Sequence, residues 1–109
     1  MFGEKTIRGE VITADFARTR LGWEPVIEVT QFKGDSETHP ALSPDDEFAD
    51  FERFEFNVQR PPQHWNYVAS VGDYARSALR RGLEMEERLG VNPYQFGMIG
   101  STDSHTSIP

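Results

Sequence analysis

Hydrophobic and polar positions along the chain divide it into a short series of helices and strands. Residues 13–22 carry apolar side chains at Phe16, Ala17 and Leu21, the spacing of a helical stripe. Thr13 is placed to cap that helix, Asp15 suits its first turn, Arg18 and Arg20 its later turns, and Gly22 its end. Trp23-Glu24-Pro25 breaks the pattern, and Val26 to Phe32 is rich enough in β-branched and apolar residues to predict a strand buried on both faces. Lys33 to Ser43 is polar and interrupted by Gly34, Asp35, Ser36 and Pro40, which predicts an irregular loop at the strand exit.

Ser43-Pro44-Asp45-Asp46 then has the look of a helix start, with a short helix through about Phe51. The partial alternation from Phe51 to Val58 predicts an extended segment, and Arg60 to Asn66 is a Pro-broken connection. A longer helix is predicted from Ser70 to Leu89: Ser70 and Asp73 have capping-box spacing, and Gly90 follows as the stop. Ala75, Ala78, Leu79, Gly82, Leu83 and Leu89 would line its buried face, Glu84 and Arg88 would pair at i,i+4, and its four arginines read as solvated charge. Tyr94 to Gly100 contains a short apolar run suited to a buried strand. This order predicts an α/β architecture, with Val26–Phe32 and Phe96–Ile99 parallel in one sheet, helices flanking it and functional groups at the strand exits.

Composition narrows the chemistry. With 109 residues there is one small domain at most, and 37% apolar against 27% charged residues is ordinary for a globular chain. A formal charge of −7 disfavours phosphate backbones and anionic lipid surfaces, so no nucleic acid is expected as a partner. The absence of cysteine leaves His, Asp and Glu as metal ligands. The first ten residues have no apolar stretch of signal-peptide or membrane-span length. The expectation is a soluble chain, its compartment open between cytoplasmic and periplasmic or secreted, and its oligomeric state unspecified.

Ser101-Thr102-Asp103-Ser104-His105-Thr106 follows the last predicted strand directly. An Asp and a His two residues apart on a turning backbone can aim a carboxylate oxygen and an imidazole nitrogen at the same zinc, manganese or iron ion. The bland alternative is a polar loop. A Ser-His-Asp triad is a poorer reading, because the acid and the nucleophile must sit on opposite sides of the imidazole and no G-x-S-x-G elbow is present. A second set of potential ligands, Glu28 in the strand with Glu37 and His39 in the loop after it, gathers near the other strand exit. For Glu37 solvent exposure is the better reading, and His64 beside Trp65 reads as a surface or packing histidine.

Four ordered motifs carry a family likeness. They are Glu28 to Pro40 continuing into Leu42–Phe48, Gly82 to Arg88, Gly90 to Gly97, and Ile99 to Thr106. Over residues 12–108 the chain resembles the bacterial domain-of-unknown-function family 3604, which looks like a branch of the PHP (polymerase and histidinol phosphatase) metallo-hydrolases. That resemblance implies a partial, distorted TIM-like (β/α) barrel of PHP type, with residues 1–109 as one partial domain from its C-terminal part. It implies two or three divalent ions (Mn, Zn or Fe) in a longer parent, with Asp103 and His105 matching the D-x-H ligands and Glu28 and His39 as weaker metal candidates. The H-x-H motif of the first barrel strand is absent here, so the resemblance implies an internal fragment, inactive by itself, whose true N-terminus lies upstream.

The function so implied is hydrolysis of a small-molecule phosphoester or similar ester through metal-activated water. The alternative is a non-catalytic binding or structural module derived from such a barrel. A partial barrel should also leave sheet edges and apolar faces uncovered, with Phe54, Phe56 and Trp65 exposed.

Overall fold

A computed structural model of the chain describes residues 2–31, 34–51 and 68–105. Helix α1 (Ala14–Trp23) is followed by strand β1 (Val26–Gln31), strand β2 (Gly34–Asp35), helix α2 (Ala75–Leu89) and strand β3 (Gly97–Gly100). The sheet order is β2-β1-β3: β1 pairs antiparallel with β2 and parallel with β3. The mixed α/β class and the parallel pairing of the two main strands are therefore as the sequence predicts. Among the described residues no helix is long and apolar enough to cross a membrane. The extended segment expected at Phe51–Val58 lies, after Phe51, outside the described residues, as do Phe54, Phe56, the connection from Arg60 to Asn66, His64 and Trp65.

Helix α1 starts as its sequence requires, because the Thr13 hydroxyl accepts the Phe16 amide at 3.2 Å and satisfies an N–H with no intrahelical partner. It runs one residue past Gly22, and Glu24 caps it by donating its amide to the Arg20 carbonyl. Pro25 prevents further continuation. Ala17 is buried and Leu21 half-buried, whereas Phe16 is largely exposed.

Helix α2 begins later than predicted. The Ser70–Asp73 pair does form, with the Asp73 carboxylate accepting the Ser70 amide at 3.1 Å, but it closes a separate turn ahead of the helix. The first amides of α2 are instead met by loop carbonyls: Ala75 N–H donates to Ser36 O and Arg76 N–H to Glu37 O. Gly90 ends the helix in the left-handed conformation at φ 72°, where a residue lacking Cβ is favoured. The buried stripe is Ala75, Ala78, Gly82 and Met85. Leu83, expected in that stripe, is 65% exposed. At 3.6 residues per turn Met85 lies about 60° round the helix from Gly82 and Leu83 about 100° on the other side. Met85 therefore faces the core and Leu83 the solvent.

Three further expectations are corrected. Residues 43–51 form successive turns rather than a helix, because Ser43 spends its hydroxyl on Thr38 (2.7 Å) and the Asp46 carboxylate accepts the Phe48 amide, a local bond that competes with helical pairing. The loop after β1 contains the short strand β2. Neither main strand is buried on both faces: in β1 Val26 and Thr30 are exposed and the other four residues only half-buried, and every residue of β3 is exposed.

The core lies on one side of the sheet. Phe2, Ile12, Ala17, Ala78, Met85 and Tyr94 are buried together, with Ile27, Leu89, Val91 and Phe96 packed against them. Both helices thus cover the sheet face that carries Ile27. By strand alternation Val26 and Glu28 occupy the opposite face. The N-terminal segment is tied in by Phe2, whose amide donates to Gly72 O and whose ring meets Tyr94 edge-on at 5.6 Å. Arg81 donates to the Phe2 and Val71 carbonyls, so it is a tether rather than solvated charge.

Candidate functional site

Because β1 and β3 run parallel, their C-terminal ends open on the same edge, the edge at which open α/β sheets present ligand-binding loops. Ser101 N–H donates to Thr30 O at 3.1 Å and keeps the chain leaving β3 alongside the end of β1. The register slips between Glu28 and Thr30, an irregularity that locally re-aims strand side chains.

The backbone then turns sharply. Ser104 N–H donates to the Thr102 hydroxyl at 3.3 Å, and Asp103 adopts φ 46°, a left-handed conformation that Asp tolerates better than most residues. The consequence is that His105 Nε2 comes within 2.9 Å of Asp103 Oδ1. The histidine side chain is 77% exposed and the aspartate 34%. The contact is a hydrogen bond between ring nitrogen and carboxylate, and with the Nε2 proton removed both atoms can reach one divalent ion at ordinary ligand distances of about 2.0–2.2 Å. The donor chemistry, carboxylate plus imidazole, suits zinc, manganese or iron.

The other predicted ligands are placed differently. Glu28 sits in the middle of β1, opposite Ile99 and half-buried. His39 lies in the loop beyond β2, its Nδ1 accepting the Ala41 amide at 3.1 Å and its ring 5.8 Å from that of Tyr74. Among the described residues no group of three or more His, Asp or Glu side chains could together hold a metal. Asp103 and His105 therefore fit part of a metal shell, and a closed site needs donors from beyond the described residues.

Sequence reasoning missed a second charged feature. Arg76, in the first turn of α2, makes ion pairs with Glu37 through one terminal nitrogen and with Asp46 through the other. Glu37 is thus exposed, as expected, but also partnered. The Arg76 hydrogen bond holds the Asp46 carboxyl below its usual range, helped by the Phe48 amide, and the two carboxylates raise the guanidinium further. These partners are 39 and 30 residues away in sequence, so no local spacing signals them. Glu84, predicted to pair with Arg88, instead accepts from Arg80 Nε at 3.1 Å.

The clamp helps to wall an open groove of about 790 Å³, bounded by Thr30 and Gln31 at the end of β1, Ser101 and Thr102 after β3, and Phe48 and Phe51 from the turn segment.

Neither the comparison with curated proteins nor that with solved structures gives a match. The family comparison does: residues 1–109 match the family described as Protein of unknown function (DUF3604) over their whole length. The likeness carried by the four sequence motifs is thereby established at the level of the family, and the chain belongs to DUF3604.

Proposed function

We propose that this chain is a segment of a metal-dependent hydrolase of phosphoesters or similar esters, in which Asp103 and His105 are two of the metal ligands. The observation that carries the reading is the 2.9 Å approach of His105 Nε2 to Asp103 Oδ1 at the exit of a parallel strand. Parallel strands with both helices on one face agree with part of a (β/α) barrel, and they put Glu28 on the face away from the helices, where such a barrel has its interior. The likeness of the D-x-H motif to that of PHP hydrolases supplies the reaction class.

In this reading the kinked backbone at Asp103 and the Thr102 turn hold the carboxylate and imidazole in register before any ion arrives. A bound divalent ion would supply a lowered pKa for a coordinated water and positive charge beside the ester oxygen. Hydrolysis then adds water across the ester: the bond from phosphorus or acyl carbon to the bridging oxygen breaks, and the alcohol leaves with a proton. Since two ligands leave most positions to water, this chain alone should bind metal weakly.

The test is a Mn²⁺ titration of the chain followed by nuclear magnetic resonance. Paramagnetic broadening should begin at Asp103, Ser104 and His105 and disappear in His105→Ala. Broadening that starts at Glu47 and Asp50 and ignores His105→Ala would favour the alternative, a non-catalytic module of the same family.

A further inference from the structure

The turn that carries Asp103 and His105 starts from a fixed point. Gly100 stands opposite Thr30 in the register, and a Cβ added to it would lie 3.2 Å from Thr30 Cγ2, so the bare glycine lets the end of β3 rest close against β1. One residue later Ser101 N–H donates to Thr30 O at 3.1 Å. Beyond that bond the chain leaves the sheet, and its direction is set by the torsions of Thr102 and Asp103.

Thr102 restrains those torsions with its own side chain. Its Oγ1 accepts the Ser104 amide at 3.3 Å, a bond from a hydroxyl to the backbone two residues on that closes a turn as a backbone carbonyl would. The residue enclosed is Asp103, whose φ of 46° is the one positive value on a non-glycine residue among the described residues. An L-residue ordinarily prefers a negative φ, so the Ser104 bond gives Asp103 a local reason to stay where it is.

The two torsions of Asp103 do different things. Its Cβ and the chain beyond it both branch from Cα, so rotation about the N–Cα bond carries the carboxylate and the imidazole together, and φ decides where the pair points. Rotation about the Cα–C bond moves Ser104 and His105 against the carboxylate, so ψ enters the 2.9 Å approach itself. The Ser104 amide lies beyond both bonds, and its bond to Thr102 restrains both at once. We propose that Thr102 is a positioning residue for the Asp103–His105 pair, its hydroxyl fixing the direction in which both groups leave the strand exit. A metal shell completed by donors from other segments tolerates an error of only about 0.5 Å in such placement. The proposal rests on the metal-ligand reading for what the aim serves, whereas the turn is measurable without a metal.

The experiment compares the full chain with Thr102→Val and Thr102→Ser by nuclear magnetic resonance, first with a chelator and then with Mn²⁺. In the chelated wild type Asp103 should give the strong amide-to-α-proton Overhauser effect of a positive φ, and the Ser104 amide should exchange slowly. Thr102→Val, close in size but without the acceptor, should lose both features and bind Mn²⁺ at the pair roughly two- to tenfold more weakly, the range that one net hydrogen bond spans. Thr102→Ser should keep all three. Thr102 is exposed, so neither change enters the core, and unmoved amides of α2 report that each variant is folded. The proposal is overturned if Thr102→Val keeps the Overhauser effect and the slow Ser104 exchange, if it loses them with Mn²⁺ affinity unchanged, or if Thr102→Ser loses them as well. Mn²⁺ broadening in the wild type that ignores His105 would sink the hydrolase reading instead, while the chelated comparison still decides whether Thr102 holds the turn.

Discussion

Replacing Gly82 by alanine sets two effects against each other within α2. In an ordinary helix interior the change stabilises by about 1 kcal/mol, since glycine loses more backbone entropy on folding. Here the added Cβ would lie 2.2 Å from Asn92 Oδ1 and 2.9 Å from its Cγ. Asn92 is only 8% exposed, so it has little room to retreat, and its Oδ1 accepts the buried Tyr94 amide at 2.8 Å. Forcing an extra carbon into a packed site costs roughly 1–3 kcal/mol. Leaving the Tyr94 amide unsatisfied adds roughly 1–3 kcal/mol. Against the propensity gain, Gly82→Ala should destabilise by about 1–5 kcal/mol. Urea unfolding of the wild type, Gly82→Ala, Asn92→Ala and the double variant would measure this as a cycle. The Gly82→Ala change should lower the midpoint in the wild-type background and become neutral or stabilising once Asn92 is truncated. A raised midpoint in the wild-type background would refute the claim that this glycine makes room for Asn92.

Two further outcomes follow from ionisable groups. Burial raises the Tyr94 phenol above its ordinary value near 10, opposed in part by Arg20. A raised native value means that the contribution is complete below the unfolded value and is lost as pH climbs through the native one, so wild-type stability should fall above about pH 10. Tyr94→Phe, lacking the phenol that donates to Gly3 O, should lose about 1 kcal/mol at neutral pH and lack this alkaline component when unfolding is followed against pH. The Asp46 carboxyl is shifted downward by Arg76, so its contribution is present above the ordinary carboxylate value and disappears as pH falls through the lower native one. The protection factor of the Ala49 amide, the ratio of its intrinsic to its observed exchange rate at each pH, should therefore fall on acidification in the wild type, and Arg76→Met should show the lower protection already at neutral pH.

What was legible in the sequence was local. The Thr13 cap, the β-branched run from Val26 and the Gly90 stop each depend on neighbours within a few residues, and each is found where expected. Asp103 and His105 meet for the same reason, being two residues apart on a turn. The failures were at places where distant groups compete for the same atoms. Ser43 was expected to cap a helix, but its hydroxyl goes to Thr38; the N-terminus of α2 was assigned to Ser70, but loop carbonyls of Ser36 and Glu37 serve it. Phe2 and Tyr94, central to the core, carry no periodic signal because each lies in an irregular segment. Arg76 carries no local sign of its partners, since neither Glu37 nor Asp46 lies within a helical turn of it.

The most direct test of the metallo-hydrolase account is made in the longer protein of which this chain is proposed to be a segment. Metal content and ester hydrolysis would be measured side by side for Asp103→Ala, His105→Ala and, as a control, His64→Ala. The account predicts that the first two lose bound metal and most of their turnover while His64→Ala keeps both. Full metal occupancy and full turnover in Asp103→Ala and His105→Ala would contradict it.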